Sequence, residues 1–153
     1  FYQLKKWSFD GRLALFDGKE SWSASIEWTH SDGKDELKLS GPLGQGAVAI
    51  SLTENSVTID RGDEQIQQST DVDAFIEQQL GIFIPVRALR YWVLGLTAPE
   101  KEFVELTGGF EQEKWIIQYL QMQQTDKEKW MPRKLKAHQN KTRLKLIIDN
   151  WML

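Results

Sequence analysis

The chain has 153 residues, 41% of them apolar and 27% charged, with seven Trp and seven Phe. That composition excludes a disordered polymer and supplies one sizeable core. With no cysteine, it also excludes a disulfide framework and a thiolate metal site. The net charge of −3 is unevenly spread: residues 1–110 balance to −7 and residues 111–153 to +4. Such asymmetry steers docking to a charged partner or headgroup, or belongs to a mixed solvated surface. No run of eighteen apolar residues exists to cross a membrane as a helix.

In chain order, residues 1–7 read as the tail of a helix ending near Trp7, followed by a strand at "GRLALF" (11–16). "SWSASIEW" (21–28) alternates strictly, with Trp22, Ala24, Ile26 and Trp28 on one face and polar residues on the other. Asp32-Gly33 marks a hairpin turn, after which "ELKLS" returns with Leu37 and Leu39 inward. A Gly/Pro-rich tip, Gly41-Pro42-Leu43-Gly44, leads into "AVAISL", whose Val48, Ile50 and Leu52 share a face. "VTID" (57–60) is the next strand and "RGDEQ" the turn after it.

The period then changes. "STDVDAFIEQQLG" (69–81) has a helix-start cluster and Gly81 as its stop, with Val72, Phe75, Ile76 and Leu80 at helical spacing. "IPVRALRYWVLGL" (84–96) is a second helix, with Pro85 suited to the first turn and Gly95 to the stop. Its apolar stripe is Leu89, Trp92, Val93 and Leu96. Strands resume around Phe103–Leu106, then at 114–122, 133–138 and 142–153. Strands, a helical insertion and more strands predict a mainly β fold. A one-sided sheet must curl or be covered, and the insertion is the natural cover.

Recognisable catalytic patterns are missing. There is no GxxxxGK[ST] phosphate loop, no HExxH and no GxSxG elbow. "GPLGQG" joins two strands, whereas a dinucleotide loop opens a helix. His30 reads as a turn residue and His138 as a surface residue; Asp63/Glu64 and Asp71/Asp73 read as turn and helix-start carboxylates. Two function classes remain open on these grounds. One is a binding module whose curled sheet encloses an apolar ligand; the other is an interaction or structural protein with a filled core. The aromatic load favours the cavity.

The order of four segments adds to this. "SWSASIEW", "LKLSGPLGQG", "GIFIPVRALRYWVLGL" and the terminal "IIDNW" together resemble the LolB family of outer-membrane lipoprotein receptors, over essentially the whole chain. The most specific pieces are Pro42-Leu43-Gly44, the stretch from Ile84-Pro85 to Leu96, and Asp149-Asn150-Trp151. The resemblance implies an incomplete antiparallel β-barrel covered by an α-helical lid, enclosing an apolar cavity, as one domain over 1–153 with the lid at roughly 69–96. It implies a non-enzymatic, monomeric receptor without cofactor, metal or nucleic acid. Such a receptor accepts acylated lipoproteins from the periplasmic carrier LolA and inserts them into the inner leaflet of the outer membrane. A generic periplasmic carrier of apolar ligands with a LolA-like half-barrel is the alternative.

By the same resemblance, Trp22, Ile26, Trp28, Leu37, Leu39, Val48 and Ile50 line the strand side of the acyl-chain cavity. Phe75, Leu89, Trp92 and Val93 line the lid side. Pro42, Leu43 and Gly44 form a protruding loop that touches membrane lipid. One buried Leu is worth roughly 1.5–3 kcal/mol, which suits a reversible touch rather than an anchor. From the residues alone, Leu43 folding back on its own hairpin is the competing reading. The family is held at the outer membrane, facing the periplasm, by an acylated N-terminal cysteine that this chain lacks. The chain is therefore expected to begin after the anchor segment, with a naturally anchorless relative as the alternative.

Overall fold

A computed structural model describes residues 4–41, 47–62, 66–81 and 83–153. The expected loop residues Pro42, Leu43 and Gly44, and the Asp63/Glu64 pair, lie outside these residues.

The first six strands are β1 (Lys6–Phe16), β2 (Ser21–Ser31), β3 (Lys34–Ser40), β4 (Val48–Leu52), β5 (Val57–Asp60) and β6 (Ile66–Ser69). Two helices follow, α1 (Val72–Leu80) and α2 (Val86–Trp92). The chain then resumes as β7 (Phe103–Leu106), β8 (Gly109–Gln112), β9 (Trp115–Gln124), β10 (Trp130–Gln139) and β11 (Thr142–Met152). All lie in one sheet of order β6-β5-β4-β3-β2-β1-β11-β10-β9-β8-β7. Neighbours pair antiparallel throughout. The fold is thus mainly β with a helical insertion, and the sheet is open. Its two edge strands, β6 and β7, are the ones that the helical segment connects.

The start of the chain differs from expectation. Trp7 belongs to β1 and pairs with His30, so no helix ends there. The reason is visible in the alternation: Trp7, Phe9, Gly11, Leu13 and Leu15 are buried, and the residues between them are not. The strand period begins before the first glycine, and Gly11 keeps it at a bulge where the register with β11 shifts. A Cβ on Gly11 would lie 2.1 Å from the Ile147 carbonyl oxygen, so only Gly fits. Two further strands, β6 and β8, carry little pattern. Ile-Gln-Gln-Ser of β6 faces solvent on both sides, and β8 buries only Phe110 and Gln112 fully.

The first helix ends where its glycine predicts, and the second ends at Trp92, three residues before Gly95. Gly81 takes the left-handed conformation at φ 78° and donates its N–H to the Glu77 carbonyl at 2.8 Å. Pro85 stands just before α2 rather than in its first turn, and the turn after Trp92 ends at Gly95, φ 83°.

Curvature follows from what α2 touches. Arg90 reaches Asp35 on β3 and Trp92 reaches Gln112 on β8. Those strands stand six places apart in the sheet. A flat sheet would separate them by roughly 29 Å at the usual strand spacing. One helical turn bridges both, so the sheet curls around the helix and its apolar face closes on itself. That is an incomplete barrel with helices laid across it.

The apolar interior beneath the helices as candidate site

The strand side is built by register. Ile26 on β2 lies opposite Leu39 on β3, which lies opposite Val48 on β4. One step along, Trp28 lies opposite Leu37, and Leu37 opposite Ile50. Strand alternation points both rows to the same face, and all six residues are at most 5% exposed. Trp22 sits further along β2 opposite Leu15, half-buried. From the helices, Leu89, Trp92 and Val93 are buried to within 1%. Phe75 is half-buried against the same cluster. The structure therefore gathers the eleven residues into or against one apolar body between helices and sheet.

Aromatic rings dominate that body at two places. Trp7, Phe9, Trp28 and Trp151 pack with ring centroids 5.1–6.1 Å apart. Trp92 meets Phe110 at 6.5 Å and Trp115 at 6.4 Å, which places α2 on β8 and β9.

Two polar knots hold α2 over this interior. The first centres on Asp35, 2% exposed. Its Oδ1 accepts from Trp28 Nε1 at 3.0 Å and lies 2.9 Å from His30 Nδ1. Its Oδ2 accepts from Arg90 Nη1 at 3.2 Å. The Arg90 guanidinium also lies 4.7 Å from the centre of the Tyr91 ring. The second knot centres on Gln112, 1% exposed. Its Oε1 accepts from Trp92 Nε1 at 3.0 Å and from the Ala98 N–H at 2.7 Å. Its Nε2 donates to the Ala98 and Lys101 carbonyls at 3.0 and 3.1 Å. A buried amide with every polar atom paired stabilises the contact; a half-paired one would weaken it. Nearby, the Tyr119 hydroxyl donates to the Trp92 carbonyl at 2.6 Å, and burial pushes its phenol pKa up.

His30 is accordingly not a plain turn residue. It stands one residue before the end of β2 on the inward side, with its ring stacked 5.3 Å from that of Trp7 and its Nδ1 at Asp35. His138 lies on β10, partly covered. Asp73, expected to start the first helix, does stand in its first turn. Its Oδ1 is buried without a hydrogen-bond partner, and burial raises its carboxyl pKa despite the opposing charge of Arg87. Sequence reasoning passed over Asp35, Gln112, Arg90 and Tyr119. A usable signal existed for two of them: Asp35 shares strand parity with Leu37 and Leu39, and Gln112 with Phe110. A polar residue at an inward position implies a buried partner.

Beside α2 runs a groove of about 870 Å³, walled by Glu54, Arg87, Arg90, Trp92, Lys101 and Trp115. Its charged rim and aromatic floor mark the seam along which α2 meets the sheet. Among the described residues, no cluster of three His, Asp or Glu side chains could hold a metal ion, and no helix is long and apolar enough to cross a membrane.

Comparison with known proteins bears directly on this architecture. The family model described as outer membrane lipoprotein LolB matches residues 5–151. A relative from Pseudomonas paraeruginosa, named outer-membrane lipoprotein LolB, is 32% identical over 97% of this chain and 75% of its own length. Proteins of the same name from Chromohalobacter salexigens and Nitrosococcus oceani are 33% and 32% identical. They match 98% and 99% of this chain and 72% and 78% of their own lengths.

Proposed function

The chain belongs to the LolB family of outer-membrane lipoproteins, and we propose from that premise that it is the receptor that takes acylated lipoproteins from the periplasmic carrier LolA. It then inserts them into the inner leaflet of the outer membrane. It does so as a binding protein, by handing over cargo rather than by catalysing a reaction. The observation that carries the reading is the match over residues 5–151, together with an apolar interior closed by a helix that is held at both flanks.

Acyl chains are the chemistry such an interior takes. Each CH₂ kept from water is worth about 0.8 kcal/mol, so a carrier must cover the chains throughout. Ile26, Trp28, Leu37, Leu39, Val48 and Ile50 supply the strand-side wall, with Trp22 at its end. Phe75, Leu89, Trp92 and Val93 supply the lid. These side chains are closed on one another, so entry of cargo requires α2 to swing from at least one flank. The two polar knots set the resistance to that motion. Transfer needs only a gradient of affinity from carrier to receptor to bilayer. Leu43, between Pro42 and Gly44, touches the bilayer at the moment of release.

Transfer of an acylated lipoprotein from loaded LolA to this protein, and then into liposomes, tests the reading. The parent accepts and delivers. Leu43→Glu accepts but delivers poorly, because a charged tip favours water over the bilayer interface; Leu43→Ile does both. Failure of cargo to leave LolA with both proteins folded would overturn the receptor reading. Delivery by Leu43→Glu at the parent's rate would remove the loop from it.

A further inference from the structure

We propose that the outer face of β1, β10 and β11 is a further membrane-facing surface, one that binds the headgroup phosphates of anionic phospholipids. Seven cations and no carboxylate fall between Glu128 and Asp149. The register gathers three of them. Lys136 on β10 lies directly opposite Lys145 on β11, which lies opposite Ala14 on β1. One step along, Arg143 lies opposite Phe16. Their strand neighbours Leu135, Ala137, Leu144 and Leu146 are buried, so these cations occupy the outer face.

Like charges directly across an antiparallel pair repel. Lys136 and Lys145 nevertheless stand together, and among the described residues neither they nor Arg143 form an ion pair. The nearby Arg12 is paired, to Asp149 at 3.0 Å. Such a cluster asks for an anion from outside the chain.

Two adjoining grooves of about 570 and 440 Å³ cross this face and share Ala14, Ser23 and Lys145. No carboxylate lines either. Serine hydroxyls from β2 face the cations across the first, where Phe16 and Leu120 add apolar surface and are 36% and 52% exposed. Cations and hydroxyls for a phosphate, set beside exposed apolar side chains, match a lipid interface. Position favours lipid over an acidic protein. Gly41, the last described residue before the Leu43 segment, lines the second groove. A headgroup held there would orient the delivering loop toward the bilayer. This rests on the reading that the protein works at a membrane, yet it needs neither cargo nor carrier.

The test is sedimentation of the cargo-free protein with vesicles of phosphatidylcholine alone or of phosphatidylcholine mixed with phosphatidylglycerol. The parent binds the anionic vesicles more tightly, and added salt weakens that binding. Each cation near a charged surface contributes about fivefold, so a K136Q/R143Q/K145Q variant loses on the order of 100-fold. Replacing Lys5, Lys6 and Lys127, equal in charge but away from the Lys136–Lys145 pair (Lys6 stands eight residues along β1 from Ala14), changes it far less. Lys145→Gln alone relieves the repulsion from Lys136, so it folds at least as stably as the parent and loses about fivefold. Equal losses in both triple variants would overturn the proposal, as would a triple variant that binds like the parent. Loss of LolA binding with vesicle binding intact would assign the face to the carrier instead. The vesicle outcomes leave the transfer of cargo untouched, and that reading stands or falls on its own assay.

Discussion

Replacing Asp35 by Asn removes one charge and keeps the shape. The carboxylate now receives Trp28 and His30 on Oδ1 and Arg90 on Oδ2. Asn has a single carbonyl oxygen, so its amide must meet one of these donors with another donor. If the oxygen stays with Trp28 and His30, Arg90 loses its partner. A hydrogen bond to a charged group is worth about 1.5–3 kcal/mol, and breaking a fully buried ion pair costs about 3–5 kcal/mol. The Arg90 side chain is 30% exposed, so water replaces part of what it loses. The expected destabilisation is therefore about 2–3 kcal/mol. For a chain of this size that lowers Tm by roughly 5–10 °C. Urea unfolding followed by tryptophan fluorescence reads the loss as a lower midpoint with an unchanged slope. Arg90→Met keeps much of the apolar stem, and a double-mutant cycle with Asp35→Asn should show coupling of about 1–2 kcal/mol. Amide exchange in residues 86–94 should quicken, because α2 is released on its β3 flank. A variant within about 0.5 kcal/mol of the parent, or strict additivity with Arg90→Met, would refute the view that this pair holds the helix down.

Tyr119→Phe leaves the Trp92 carbonyl without its donor in a covered position; a loss of about 1–2 kcal/mol is expected, measured by the same urea midpoint. Asp73→Asn should act only at higher pH. Burial raises the folded-state carboxyl pKa above its ordinary value, so the wild-type group favours the fold below its unfolded pKa. That advantage is lost as pH rises through the folded pKa. The Asn variant should therefore match the parent at the acid end and gain relative stability above about pH 4, shown by thermal melts across that range. Gly11→Ala and Gly109→Ala each set a Cβ about 2 Å from a backbone carbonyl oxygen across the strand pair. Both should destabilise by about 3 kcal/mol or more, whereas Gly33→Asn, at φ 78° with nothing within 4 Å, should melt within a few degrees of the parent.

The short-range patterns were legible in the chain. Strict alternation at 21–28 placed Ile26 and Trp28 inward, and the same period placed Leu37, Leu39, Val48 and Ile50. Gly81 and Gly95 marked the ends of the helical turns. The order of the motifs pointed to the family. These features repeat over two to four residues, so local sequence specifies them. Other features depended on distance. That Ile66–Ser69 is strand follows only from its pairing with β5. Asp35 and Arg90 are 55 positions apart, and Trp92 and Gln112 are 20 apart. Their donors and acceptors meet because a curled sheet brings β3 and β8 to opposite flanks of one helix. The face that carries Lys136 and Lys145 is likewise a product of register: charge on each strand is written in the sequence, but which charges stand opposite one another is decided when β10 pairs with β11.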